Sequence, residues 1–377
     1  MGKVLAITKN IFKDSSLFRY YFRSCLNIIS YYLNPEAGIS PNTVFIAVNS
    51  ICNLRCKMCD VGQKNINSQF YKNMSSSGKE LSIERLKLLI DEIKSFRPII
   101  AVTSTEPLLY KDIMNFAQYS KSKGLEFHLT TNGYLLSKFA QEIVDSEIDV
   151  LSISLDGPQE IHNEIRGKND SFQRAYEGIK LIEKIKKENK RFKPKINLNC
   201  CISDYNHGSL VYFMESVKDL EIDSVLLSHL NFVTKEMAKA HNKRFNKICP
   251  ATPSSISALD LSRIDIDVLW EQISLIKSRY NNVIFIPELN KTELDVFYNH
   301  PEQFLKGHDK CLVPWKSAQI LANGDLTIST RCFNLKLGNI NETSFQEAWN
   351  GREMKKFRKE LRKMGAFPAC TRCCGLL

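Results

Sequence analysis

Val44-Phe45-Ile46-Ala47-Val48 runs through Asn49-Ser50-Ile51 into Cys52-Asn53-Leu54-Arg55-Cys56-Lys57-Met58-Cys59. An apolar strand thus delivers three cysteines at Cys-x3-Cys-x2-Cys spacing. Three thiolates can hold three irons of a four-iron cluster and leave the fourth open to a small molecule. Zinc is the alternative, since Cys-x2-Cys pairs commonly serve it. Zinc sites draw a second pair or a His from short range, and no His or fourth Cys lies between Ile51 and His128.

Working outward, short apolar segments at 44–48, 99–102, 126–130, 150–155, 195–202 and 224–230 read as strands. Amphipathic patterns at 82–96, 111–123, 137–146, 172–187 and 209–220 read as the intervening helices. Six strand-helix units imply an α/β fold with a parallel sheet closed partway, a partial (βα)6 barrel of TIM type. Ligands in such sheets sit at the carboxyl ends of the strands. The polar stretches fall at those ends: Thr103-Ser104-Thr105-Glu106-Pro107 after the second strand, Thr130-Thr131-Asn132-Gly133 after the third, and Ser152, Ser154 and Asp156 along one face of the fourth. Ile161-His162-Asn163-Glu164-Ile165-Arg166-Gly167 follows.

Motifs of these kinds, in this order, make residues 42 to 377 resemble the radical S-adenosylmethionine (SAM) superfamily, in its auxiliary-cluster (SPASM/twitch) branch. The resemblance implies that the open iron binds the amino and carboxylate groups of SAM. A 5′-deoxyadenosyl radical formed from SAM then abstracts hydrogen from a substrate, the protein supplying aim and shelter from solvent. It further implies that Cys52, Cys56 and Cys59 hold the cluster and that Met58 lies near the adenine. Thr105 and Glu106 belong to the turn whose backbone carbonyls, together with Glu106 itself, hold the SAM amino group, where Ser104 and Thr105 replace the family's glycines. Thr130 and Asn132 face the site, with Ser152, Ser154 and Asp156 toward the ribose or carboxylate and Asn199, beside Asn197, toward SAM. Arg166 matches an arginine that grips the SAM carboxylate, a task suited to its fork of donors.

Cys311, Cys332, Cys370 and Cys373 lie in the final stretch, which resembles the abbreviated twitch form of the auxiliary domain and implies a second four-iron cluster. Cys374 is an alternative to Cys373, and zinc is an alternative metal for this tetrad. Asn323-Gly324 signals a hairpin, and 344–364 reads as one helix returning the terminal pair. Cys25, Cys200, Cys201 and Cys249 remain. Buried cysteines serve commonly as small apolar residues, but Cys200, Cys201 and Cys249 are also candidate hydrogen donors to a substrate radical.

With 377 residues and 43% apolar content the chain can fill one barrel core and a small satellite. The expected division is 1–41, a basic amphipathic helical extension; 42–230, the barrel core; 231–305, a helical connection near the barrel mouth; and 306–377, the auxiliary-cluster domain. Twelve cysteines at cluster spacings suggest a reducing cytoplasm. The net charge of +11 lies mainly in 180–195 and 352–363. Such runs are commonly solvated helix faces; the functional alternative is docking of an acidic flavodoxin or ferredoxin. No nucleic-acid motif accompanies the charge. Residues 9–33, aromatic and basic, either pack on the barrel or lie on an anionic membrane surface. The expected reaction is oxidation of a sugar, cyclitol or related small metabolite with the auxiliary cluster as electron acceptor. Epimerisation with a Cys donor and modification of a ribosomal peptide are alternatives, with a non-catalytic zinc or nucleic-acid binder as a distant one. Tyr205, His207, His229, Asn231, His241 and Glu288 are polar candidates for the substrate cavity, each equally readable as ordinary surface or core.

Overall fold

The computed structural model describes residues 15–75, 80–328, 331, 333 and 335–373. Cys332 and Cys374 lie outside them, as do the first fourteen residues of the extension.

The sheet follows from the run of Val, Ile and Leu at alternate strand positions. Strands β1 (Thr43–Ile46), β2 (Ile99–Val102), β3 (Phe127–Thr131), β4 (Val150–Ser154), β5 (Lys195–Ile202), β6 (Ser224–His229) and β7 (Val283–Ile286) pair in parallel, each with the next. In β4, buried Leu151 and Ile153 alternate with half-buried Ser152 and Ser154. In β5, buried Ile196, Leu198, Cys200 and Ile202 alternate with half-buried Asn197, Asn199 and Cys201. Successive side chains point to opposite faces, so one row packs under the helical layer and the other lines an open, polar interior. Each fully buried aliphatic of the packed row contributes roughly 1.5–3 kcal/mol.

Residues 231–305 differ from expectation. They contain helices Lys235–Phe245, Ile266–Arg279 and Lys291–Asn299, but also β7, which extends the barrel beyond six strands. The segment Val283-Ile284-Phe285-Ile286 is too short, and too exposed at Ile284, to show the alternation that marks the other strands.

The C-terminal region continues the same sheet. Strand β8 (Ser317–Ile320) pairs in parallel with β1 along its whole length, from Thr43 opposite Ser317 to Ile46 opposite Ile320. It turns at Asn323-Gly324, where Gly324 holds φ +86°, into antiparallel β9 (Asp325–Thr327), followed by β10 (Gly338–Asn339). The expected single helix over 344–364 is two, Phe345–Trp349 and Arg352–Met364. They part at Asn350-Gly351, where a Cβ on Gly351 would meet the Glu347 carbonyl oxygen at 2.9 Å.

Helix Ser15–Leu33 lies against this junction. Arg23 donates to the carbonyls of Pro41 and Phe96, and buried Asn27 donates to the Ser40 carbonyl and Asn42 Oδ1. Tyr31 meets Trp315 edge to face at 4.9 Å and carries the Arg362 guanidinium over its ring at 4.6 Å. These contacts place the helix on the barrel. Among the described residues no helix is long and apolar enough to cross a membrane.

The first basic run is largely matched by acids, and two residues of the second are paired. Lys184 pairs with Glu188, Lys187 with Glu221, Arg191 with Glu147 and Lys193 with Asp149. In the second run Lys359 pairs with Glu36 and Lys363 with Glu360, while Arg358 is buried against Trp349. Exposed pairs of this kind stabilise little individually, but they leave less free charge than the sequence count implies.

Candidate active site

The cysteine loop after β1 is held by backbone. Arg55 N donates to the Arg166 carbonyl at 3.1 Å and Lys57 N to the Ile165 carbonyl at 2.8 Å, so 55–57 pairs onto the last turn of helix Gln159–Arg166. That helix ends at Gly167, whose φ of +69° makes a left-handed cap. A Cβ there would lie 3.1 Å from the Arg55 carbonyl oxygen. Gln63 Nε2 closes the loop on the Arg55 and Cys56 carbonyls at 3.1 Å each.

Cys52 is exposed, Cys59 half-buried and Cys56 buried. Burial is the main cause that raises the Cys56 pKa to about 12; Arg166 opposes it, and Cys59 and Cys52 add to it. Cys52, an exposed residue whose sulfur is part-buried beside Asn132, is also raised by loss of hydration, with the Leu54 amide opposing and Glu106 and Cys59 adding. The three sulfurs are close enough to repel as thiolates, and a cationic iron centre removes that repulsion. This donor set fits an iron-sulfur cluster with three protein ligands. Ser50 Oγ, beside the loop, is buried without a hydrogen-bond partner, a polar atom available to a bound group.

Arg166 Nε pairs with Asp156 Oδ2 at 2.6 Å, and its Nη1 reaches Cys56 Sγ at 3.6 Å. Burial disfavours the guanidinium charge, but Asp156 and Cys56 outweigh it and hold the pKa above the usual value. Asp156 is fully buried; its Oδ1 accepts from the Cys201 amide at 3.0 Å, and its own amide donates to His162 Nδ1 at 3.0 Å. Burial depresses the His162 pKa, consistent with a neutral acceptor ring. Asp156 is thus turned toward Arg166 and β5, and Arg166 toward a cluster-loop cysteine.

The turn after β2 is built in the same way. Ser104 adopts φ +96°, a conformation ordinarily left to glycine, and its hydroxyl accepts from Gln319 Nε2 of β8 at 3.0 Å. Thr105 Oγ1 donates to Asn49 Oδ1 at 2.7 Å, and Asn49 Nδ2 donates to the Glu106 carbonyl at 2.9 Å. The Glu106 carboxylate is fully buried and accepts from the Asn132 amide at 2.7 Å, Thr131 Oγ1 at 2.8 Å and the Leu108 amide at 3.0 Å. Burial raises its pKa and those donors oppose the rise. Its carboxylate therefore locks the β2 and β3 turns together. Asn132 Nδ2 continues the chain to Asn53 Oδ1 at 2.7 Å and Cys52 Sγ at 3.8 Å.

Along the open face Thr130 stands opposite Ser152, Ser152 opposite Asn197, Ser154 opposite Asn199, and Cys201 opposite Ser228. Met58 is buried beside the loop. The candidate thiols separate by register: Cys201 is on this face, Cys200 is fully buried on the packed face, and Cys249 is buried beside His241 at 3.8 Å, next to Phe245, Phe333 and Phe367. No motif marks Ser228 or Gln319, although strand alternation in 224–229 and 317–320 puts both on the less buried face.

Of the polar cavity candidates, His229 is buried with Nδ1 at 2.7 Å from Tyr298 OH, and His241 Nε2 meets the Cys249 carbonyl at 2.7 Å. Glu288 is exposed and paired with Lys277. Tyr205 carries Lys57 over its ring at 4.1 Å.

In the C-terminal region the Cys311 amide donates to the Gly365 carbonyl at 2.9 Å, and the Cys373 amide to the Cys370 carbonyl at 3.0 Å. Arg372, fully buried between the terminal cysteines, donates to the carbonyls of Phe297, Val296, His300 and Gln303. It caps helix Lys291–Asn299 and so fastens the Cys370–Cys373 turn to the barrel, while burial lowers its pKa to about 10. Among the described residues no three His, Cys, Asp or Glu side chains converge closely enough to hold a single metal ion.

The chain matches the Radical SAM superfamily over 46–193 and an iron-sulfur cluster-binding domain (SPASM) over 311–374, and it belongs to the radical SAM superfamily, in the branch with an auxiliary-cluster domain. Its cofactors are accordingly SAM, a four-iron cluster and further iron-sulfur in the C-terminal domain. Among curated relatives, the Fe-coproporphyrin III synthase of Methanosarcina barkeri is 32% identical over 130 residues, covering 34% of this chain and 30% of that protein. The GTP 3′,8-cyclase of Campylobacter fetus is 27% identical over 212 residues, covering 54% and 59%. The chain thus spans less than two thirds of either relative. Among solved structures, Streptococcus suis SuiB bound to precursor peptide SuiA superposes with a TM-score of 0.60 at 16% identity, covering 88% of this chain and 71% of that one. At that identity the likeness is one of fold, a TIM-type partial barrel with a C-terminal iron-sulfur domain.

Proposed function

We propose that this radical SAM enzyme oxidises a neutral, polyhydroxylated small molecule, a sugar or cyclitol, by removing two hydrogens from one carbinol. The observation that carries the proposal is the character of the open face. Thr130, Ser152, Ser154, Asn197 and Asn199, which would face SAM, run on to Ser228 and present hydroxyls and amides, and the one lysine of their rows, Lys195, stands at the amino-terminal end of β5, away from the carboxyl ends of the strands. Such a lining suits hydroxyl groups better than carboxylates or phosphates.

When bound, the two clusters and SAM supply a 5′-deoxyadenosyl radical to take a hydrogen atom and an acceptor for the remaining electron. Cys52, Cys56 and Cys59 would hold the first cluster. Arg166, anchored by Asp156, would fix the Cys56 sulfur and present its remaining donor to the SAM carboxylate. Asn132 would orient Cys52, and the turn locked by Glu106 would present its backbone carbonyls to the SAM amino group. Cys311, Cys370, Cys373 and Cys332 would hold the auxiliary cluster, fastened through Arg372. An acidic flavodoxin or ferredoxin would deliver the initiating electron.

Cys201 favours a second reading, epimerisation, because its side chain shares the open face with Asn199 and Ser228. Anaerobic incubation with SAM, reductant and a panel of sugars and cyclitols, with GTP and an unmodified peptide as comparators, separates the two. Oxidation predicts 5′-deoxyadenosine and a carbonyl product in equal amounts, insensitive to Cys201→Ala. Solvent deuterium at an inverted carbon, lost in Cys201→Ala, would replace oxidation by epimerisation.

A further inference from the structure

Asp60 follows Cys59 directly and is fully buried. Its carboxylate accepts from Ser68 Oγ at 2.6 Å, Ser254 Oγ at 2.9 Å, the Ser255 amide at 3.0 Å and Asn65 Nδ2 at 3.1 Å. A buried carboxylate is tolerated only when its oxygens are satisfied, and two of these four donors come from 194 and 195 residues further along the chain. Ser255 holds φ +63°, which a non-glycine residue keeps only where its surroundings over-determine it. Its hydroxyl accepts from Arg331 Nη1 at 2.5 Å. Arg331 in turn lies over the Phe70 ring at 4.4 Å, and the Phe70 amide donates to Ser68 Oγ at 3.1 Å. The contacts close a ring through Asp60, Ser68, Phe70, Arg331 and Ser255. Within that ring Asp60 is bonded to Cys59 and Arg331 to Cys332.

We infer that Asp60 is a positioning residue shared by both iron-sulfur sites: its hydrogen bonds to Ser254 and Ser255, and through Ser255 to Arg331, set the first cysteine loop against the auxiliary domain, so that a change on one side is felt at the cluster on the other. The inference rests on the two-cluster reading above. It goes beyond that reading because none of these four residues is a cluster ligand or a part of the SAM turn.

The test uses the full chain, reconstituted anaerobically with iron and sulfide, reduced, and followed by EPR and redox titration. Signals are assigned from a Cys52→Ala/Cys56→Ala/Cys59→Ala variant and a Cys370→Ala/Cys373→Ala variant. Arg331→Gln leaves the first loop's own residues intact, yet it is expected to shift the EPR signal and midpoint potential of the first cluster. Asp60→Ala is expected to shift those of the auxiliary cluster, and Asp60→Asn, which keeps one acceptor oxygen, to recover part of the shift. Two wild-type signals with each variant altering only the cluster on its own side would overturn the inference alone. A single wild-type signal would overturn the two-cluster reading and the inference with it.

Discussion

Arg166 shows how a side chain named for one task is held by another. The motif around it marks it for the SAM carboxylate, but its pairing with Asp156 depends on β4 and helix Gln159–Arg166 meeting in space, which no local pattern states. Removing one partner of a buried pair leaves the other uncompensated. Arg166→Met is therefore expected to lower stability by about 3–5 kcal/mol, read by urea denaturation. A loss near zero would mean that Asp156 finds other donors. Glu106 teaches a similar lesson. Its position at the turn was legible, while its three donors, two of them from Thr131 and Asn132, could be known only once β2 and β3 were side by side. The cysteines divide more simply: alternation along 195–202 already separates Cys200 from Cys201, and the burial of the two thiols follows it.

At the scale of elements, all six expected strands and three of the five expected helices lie within two residues of their expected bounds, because their apolar periodicity is strong, while the helices expected to end at 96 and 220 stop at Ile93 and Ser216. The failures share a cause. β7 has four residues and one buried side chain, and the break at Gly351 sits inside an otherwise continuous helical pattern. Gly167 is where an element's end bears on the site. Gly167→Ala would force a Cβ into the left-handed cap and toward the Arg55 carbonyl. We expect it to weaken cluster retention, measured as iron per chain after gel filtration, while far-UV circular dichroism stays unchanged. His229, at the end of β6, supplies a pH dependence. Burial lowers its pKa to about 3, so the folded state stays neutral where the unfolded chain binds a proton. Its contribution is complete above about pH 6.5 and is lost as pH falls, by about 1.4 kcal/mol at about pH 5.5. His229→Gln is expected to flatten the denaturation midpoint between about pH 6.5 and pH 4 by roughly one proton's worth of slope. An unchanged slope would show that His229 is not held neutral.

For the whole molecule, the sheet is what relates the two cysteine regions. β8 pairs with β1, the strand that delivers the first triad, so the C-terminal region is joined to the barrel by a full strand ladder as well as by Arg372 and the Asp60 ring. Sequence reading separated the two regions as domains and could not see this pairing, since a parallel ladder between residues more than 270 positions apart leaves no local trace. The local charge of the basic runs is likewise offset by acids from elsewhere in the chain, Glu147, Asp149, Glu221 and Glu36, while the net charge stays at +11. The central claim, a SAM cluster on the first triad and one auxiliary cluster on the C-terminal cysteines, is tested most directly by iron content. After anaerobic reconstitution, wild type should hold roughly eight irons per chain and the Cys52→Ala/Cys56→Ala/Cys59→Ala variant about four, with 5′-deoxyadenosine formation lost. Roughly four irons falling to none would contradict the account, since the C-terminal cysteines would then hold no cluster and no acceptor for the substrate's second electron.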